Sequence, residues 1–353
     1  MLGEFEKCVD FQPTFGAANT CQYIIEQREG KACGLCKKQD RYRCLFDSRP
    51  IPLSHSSVQD FLSCHRLYYL KHVVGIEIRP SQKSDMLKAG TLFDAVTRIR
   101  HGQDPKVVNI PGTIEKEEIP DRVVGIIKSI NRAMRDLDIK FPDGEVQHEF
   151  WKVLPIQDLD GKKYATGLPA EVEVHGFLDV KQDGGFIEYK CTGSPDRYHD
   201  ARFLASQAAP YFMSDETLDW MDVRAVRYPA LRKGKGVDEE NDESFADRVY
   251  EDIIRRPSWY FPGWNKETRS FGKRFYRSEF DLEEYSGRFR HILREIHEAR
   301  LMNGFYRNDR ACNNLLPGIP CEFQNPCWYN KISETIYQIR EKKIEVADGD
   351  WGE

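Results

Sequence analysis

Between residues 54 and 303 the spacing of apolar positions sets out the architecture. Ser54 precedes a stretch in which Phe61, Leu62, Tyr68, Tyr69 and Val73 recur at helical intervals, giving one buried face. A second helix fits Lys83 to Arg100, with Leu87, Leu92, Ala95, Val96 and Ile99 inward, and a third fits Ile119 to Leu137. The period then drops to two. Val146 to Pro155, Ala170 to Lys181 and Phe186 to Cys191 read as strands, the last two joined by Gln182-Asp183-Gly184-Gly185, a hairpin turn signal. His199 to Met213 is predicted helical, Trp220 to Pro229 a further strand, and Asp281 to Asn303 a long charged helix. Helices at the front, three antiparallel strands, a crossover helix and another strand point to an α/β or α+β sheet domain.

Two segments depart from this pattern. Lys233 to Asp252 carries the run Asp238-Glu239-Glu240-Asn241-Asp242-Glu243 and reads as a solvated loop. Arg255 to Arg277 holds seven Lys or Arg against one acid, interleaved with Trp259, Tyr260, Phe261, Trp264, Phe271, Phe275 and Tyr276. Two readings of it stay open: a single-stranded nucleic-acid track, or a loop that packs its rings into the core. The net charge of −5 excludes a uniformly basic surface but not a local basic channel. No uncharged run is long enough for a membrane span, and the N-terminus lacks a basic patch followed by an apolar core, so an intracellular, cytoplasmic protein is expected.

Ten cysteines sharpen the picture, five of them within the first 44 residues and three between 312 and 327. With no export signal, metal ligation is the stronger reading. Residues 1–50 form a Cys-rich module, in which Cys33 and Cys36 make a CxxC knuckle flanked by Cys21 and Cys44. These four could hold Zn²⁺, which would help so short a segment to fold; Cys8 is an alternative ligand, and free or buried thiols the plainer reading. Cys191 reads as a buried thiol.

The densest chemistry lies at the hairpin. Glu188 and Lys190 are two apart in one strand and share a face, and the turn brings Asp179 near them. Two carboxylates and an ammonium on one small volume suit a hard divalent cation and a phosphate, although E-x-K alone is as often a surface salt bridge. Glu149, in the preceding strand, could reach the same cleft.

In this order the motifs resemble the PD-(D/E)XK nucleases, in their RecB-like branch. Asp179, the hairpin and Glu188-Tyr189-Lys190-Cys191-Thr192-Gly193 look like its core. Gln207 to Tyr211 is similar to its Q-x-x-x-Y helix, and Gly90-Thr91-Leu92-Phe93-Asp94 to its G-T-x-x-H motif, with Asp94 where the family carries His. His101 lies too far along that helix to substitute and reads as a surface residue. The resemblance implies a restriction-endonuclease-like core over residues 51–335, with a central mixed sheet flanked by helices, and a tail at 336–353. It implies Mg²⁺ or Mn²⁺ on Asp94, Asp179 and Glu188, catalysis by Asp179, Glu188 and Lys190, and DNA positioning by Gln207 and Tyr211.

The cysteines extend the resemblance. AddB-type and CRISPR-adaptation nucleases staple the ends of this domain with a [4Fe-4S] cluster, held by one cysteine before the core and three after it. Cys64 in Ser-Cys-His-Arg-Leu-Tyr-Tyr, then Cys312, Cys321 and Cys327, match that order, with five residues between the last two; the eight between Cys312 and Cys321 exceed the family's gap. Without the resemblance, zinc and iron-sulfur stay equal candidates here. The function implied is metal-dependent DNA hydrolysis, as an exonuclease on single strands or DNA ends, in processing, recombination or repair, phage or CRISPR related. The alternative is a non-catalytic DNA-binding scaffold on the same fold. A redox protein ranks last, for want of a dinucleotide glycine fingerprint.

Overall fold

The computed structural model describes residues 54–79, 82–104, 119–155, 171–231, 240–301, 304–308, 312, 321–329 and 332–339. These all belong to one compact unit, Arg49–Glu341. Cys8, Cys21, Cys33, Cys36 and Cys44, with the expected zinc module, lie outside the described residues.

Ser54 caps α1 (His55–Ser63): its hydroxyl accepts from the Ser57 amide while Ser57 Oγ accepts from the Ser54 amide at 2.9 Å. The expected continuous helix breaks at Cys64, whose backbone is extended. It resumes as α2 (His65–Tyr68) and a π-helical turn, Tyr69–Val74, that ends at Gly75 in the left-handed region. A short strand β1 (Ile76–Ile78) leads to α3 (Asp85–Arg100) and α4 (Asp121–Asp136). Then come β2 (Glu145–Pro155), β3 (Glu171–Gln182), β4 (Gly185–Thr192), α5 (Ala201–Ser214) and β5 (Trp220–Arg227). The chain continues through α6 (Asp242–Arg255), α7 (Pro257–Tyr260), β6 (Lys273–Tyr276), α8 (Leu282–Leu301), α9 (Gln324–Tyr329) and β7 (Tyr337–Ile339).

The fold is mixed α/β, built on a five-stranded sheet in the order β2-β3-β4-β5-β6. Its strands pair antiparallel except β4 and β5, which run parallel across the α5 crossover. At the β3–β4 turn Gly184 has positive φ, and a side chain at Gly185 would overlap the Trp220 indole, so both glycines are required. Alternation along β4 divides the core. Ile187 and Tyr189 face α3, α4 and α6, where Phe93, Ile126, Ile130, Phe245 and Val249 fill one layer. Phe186 faces α5 with Leu204, Ala208 and Phe212. Among the described residues no helix is long and apolar enough to cross a membrane.

Several sequence expectations change. The acidic run is not all loop: Asn241 caps α6, its side chain accepting from the Ser244 amide at 2.8 Å, and Asp242 and Glu243 occupy the first turn, where a helix dipole favours acids. In the segment 255–277 four of the seven rings take the core-packing reading, while Trp259 and Tyr276 are exposed. Tyr260, Phe261, Phe271 and Phe275 are buried, and 273–276 is the edge strand β6. Its cations are engaged as well: Arg255 and Arg256 hold Asp252, Arg269 holds Asp138 and Arg274 holds Asp222. His101 is no surface residue, since its Nε2 lies 2.9 Å from the Tyr189 hydroxyl. Finally, β7 pairs antiparallel with β1 within the compact unit Arg49–Glu341.

Candidate active site

β3 and β4 pair only from Val180↔Ile187 to the turn, although β2 stays paired with β3 down to Glu171↔Pro155. β4 meanwhile remains paired with β5 as far as Thr192. The sheet therefore opens between β3 and β4 at Asp179. The Tyr189 amide, which would have continued the ladder, donates instead to Asp179 Oδ2 at 2.8 Å. Leu178 packs in the α5 layer and Val180 in the opposite one, so β3 changes face across Asp179. Across β2, Gln147 takes a left-handed φ of 56°, a conformation that costs a non-glycine residue about 1–2 kcal/mol.

Four elements converge on this opening. From β4, Glu188 is buried; its Oε1 accepts from Gln207 Nε2 of α5 at 2.6 Å and from the Lys190 ammonium. Glu188 Oε2 is buried without a hydrogen-bond partner. From α3, Asp94 lies 3.7 Å from Arg98, one turn on. From β2, Gln147 Nε2 stands 3.5 Å from both Asp94 Oδ1 and Asp179 Oδ1. The structure thus brings together Asp94, Asp179, Glu188, Lys190 and Gln207. Tyr211 is buried beside them, edge-on to Phe150 and Phe186 and hydrogen-bonded to Gln207.

The crowding of charge sets the protonation states. Burial, then the neighbouring Glu188 charge, raises the Asp179 carboxyl to about 8. Burial also raises Asp94, against the pull of Arg98 and Lys190. For Lys190 burial works against the charge, but the carboxylates of Glu188 and Asp179 more than offset it and hold the ammonium well above its ordinary value.

Sequence reasoning missed two contributors. Gln147, not Glu149, reaches the opening from β2. Glu149 pairs with Phe177 one rung further out, where its charge acts on His175. The left-handed backbone at Gln147 has no signature in a strand-like sequence. His55, the first residue of α1, places Nδ1 2.7 Å from the Ser206 carbonyl. A carbonyl only accepts, so Nδ1 carries the proton and Nε2 the lone pair. The ring feels both Lys190 and Glu188, and burial lowers its pKa, keeping it neutral. Its only signal was position, next to a helix cap.

Three carboxylates form an oxygen donor set that suits Mg²⁺ or Mn²⁺, and the unpartnered Glu188 Oε2 is an acceptor such an ion would satisfy. Among the described residues no three His, Cys, Asp or Glu side chains stand in a ready ligand arrangement. Glu188 Oε1 is engaged by Lys190 and Gln207, and Asp179 Oδ2 is turned to the Tyr189 amide.

Four cysteines lie near one another toward the ends of the unit, though not in a ready ligand arrangement. Cys64, Cys312, Cys321 and Cys327 are all buried and none is in a disulfide. Cys321 donates its amide to the Cys312 carbonyl at 2.9 Å. The Asn308 amide donates to Cys64 Sγ and the Trp328 indole to Cys312 Sγ, each at 3.4 Å. Burial, then the charges of Cys312 and Cys64, raises Cys327 to about 11, so these sulfurs act on one another. Cys191 is partly buried against the α3–α4 layer, with burial pushing its thiol up to about 12. No family model matches the chain, and no curated protein matches it significantly.

The raised Asp179 pKa predicts an unusual pH profile. The folded protein holds that proton up to about pH 8, whereas the unfolded chain releases it near 3.9. Between these values the native state binds more protons, so stability falls as pH rises. Metal-free protein should lose on the order of 1 kcal/mol or more of urea stability between pH 5 and 8. Asp179→Asn should flatten that slope; an unchanged slope would contradict the assignment.

Proposed function

We propose that the protein is a metal-dependent deoxyribonuclease, an exonuclease acting on DNA ends or single strands. The observation that carries this reading is the convergence of Asp94, Asp179, Glu188 and Lys190 where β3 leaves β4, with a buried Glu188 oxygen unpartnered. A divalent Mg²⁺ or Mn²⁺ held by the three carboxylates would supply Lewis acidity at a scissile phosphate and acidify a water. The protein's own groups do the rest. Lys190 stays protonated, so it serves as a fixed cation that stabilises charge developing on the phosphate rather than as a base. Gln207 holds Glu188 in place, and Gln147 links Asp94 to Asp179. Asp94 replaces the imidazole of the resembled motif with another hard oxygen ligand.

The four buried cysteines support a [4Fe-4S] cluster in this reading, with N–H donors already aimed at two of the sulfurs. The zinc proposal for Cys21, Cys33, Cys36 and Cys44 rests on their spacing alone. A second reading, a DNA-binding scaffold, is favoured by two observations: Lys190 closes on Glu188, and no ready ligand arrangement is found among the described residues.

Two tests follow from this chemistry. With Mn²⁺ or Mg²⁺ the wild type should degrade end-labelled DNA. Lys190→Ala should slow cleavage about a hundredfold or more while the fold and DNA binding persist. Unimpaired cleavage by that variant would remove Lys190 from the mechanism, and an inactive wild type that still binds DNA would favour the scaffold. Separately, protein purified without oxygen should be brown and contain iron, and Cys327→Ser should lose both. A colourless, iron-free wild type would contradict the cluster.

A further inference from the structure

Beyond Asp179, the antiparallel arm of β2 and β3 continues without β4. Alternation sets Glu149, Trp151 and Val153 on one face of β2, beyond the left-handed Gln147. Glu149 pairs with Phe177, and Trp151 with His175. Gln147 falls opposite Asp179, between the pairs Val146↔Val180 and His148↔Leu178. This face is apolar yet open: Trp151 is 55% exposed, Val153 49% and Phe177 46%. The Trp151 ring stacks on His175 at 4.9 Å and 19°. The reverse face is closed, with Phe150 packed edge-on against Tyr211 and Val174 buried.

We propose that this face is a stacking track for single-stranded nucleic acid, whose bases interleave with Phe177 and the Trp151–His175 pair as the strand enters the carboxylate site. The inference rests on the nuclease reading and adds to it the form of the substrate and its path. Register supplies the argument. The two aromatic rungs are the first and second beyond the Gln147–Asp179 rung. Successive rungs on one face lie about 6.7 Å apart. That is about twice the 3.4 Å rise of stacked bases, the interval at which a protein ring fits between neighbouring bases. A duplex would have to unstack to enter, so the track selects single strands.

The charge on these rungs defines how the strand is held. Gln147, Asp179, Glu149, Phe177, Trp151 and His175 include no Lys or Arg. Glu149 repels phosphate, so the bases face the strip and the backbone lies outward. Binding by stacking, with few phosphate contacts, depends weakly on salt. This separates the track from a basic groove.

The test uses the full chain in EDTA, which prevents cutting, and a fluorescein-labelled oligothymidylate read by anisotropy at low and high salt. Trp151→Ala should weaken binding about tenfold or more, Phe177→Ala should weaken it too, and Trp151→Phe should retain most of it. A blunt duplex should bind less well, and the salt slope should be shallow. Both positions are exposed, so the variants should melt like wild type. Wild-type binding by both alanine variants, or equal binding of duplex, would overturn the track. Parallel cleavage with Mn²⁺ separates the two claims. Ring-dependent binding without cleavage by wild type would defeat the nuclease reading alone. Cleavage by wild type together with unimpaired Trp151→Ala would defeat the track alone.

Discussion

The site depends on one hydrogen bond, from the Tyr189 amide to the Asp179 carboxylate. A buried amide that loses its ladder partner costs about 1–3 kcal/mol unless another acceptor replaces it. Asp179 is that acceptor, so β3 can leave β4 while β4 keeps its place beside β5. The opening sets Glu188 and Lys190, on an interior strand, beside Asp179 and Asp94. Tyr189 secures the same point from the other face, its hydroxyl meeting His101 at 2.9 Å and Arg224 at 3.3 Å. A carboxylate used to end a sheet is thus also a carboxylate placed beside a second acid and a lysine. The raised Asp179 pKa is a consequence of that placement, through burial and then the Glu188 charge.

The ends of the unit are held together by a separate arrangement. β1 and β7 pair, the Arg66 amide reaches the Tyr306 carbonyl at 3.1 Å, and the Tyr337 hydroxyl donates to the Glu322 carbonyl at 2.7 Å. The four buried cysteines sit among these contacts. A cluster there would reinforce a closure that the backbone already makes, which suits a structural role. It would also bear on the carboxylate site, because α1 runs from His55, beside Glu188 and Lys190, to the helix break at Cys64.

Much of this was legible from local pattern. The Gly184-Gly185 turn, the Glu188-x-Lys190 spacing, the Ser54 cap and the helices that became α3, α4, α5 and α8 follow from periodicity and turn chemistry. What was not legible has a common cause. Which rings of 255–277 pack inward depends on the sheet they cover. The face switch between Leu178 and Val180, the left-handed Gln147 and the approach of His55 to β4 are tertiary events. Strand periodicity predicts that 178 and 180 share a face, and the structure departs from it where the sheet opens. The Asn241 cap went unread, because the acids around it made a loop the simpler reading.

The most direct measurement is anomalous diffraction from crystals of the full chain grown with Mn²⁺. The account predicts one strong peak bounded by Asp94, Asp179 and the free oxygen of Glu188, lost in Asp179→Asn. No peak at this opening, with Mn²⁺ bound elsewhere or not at all, would contradict it.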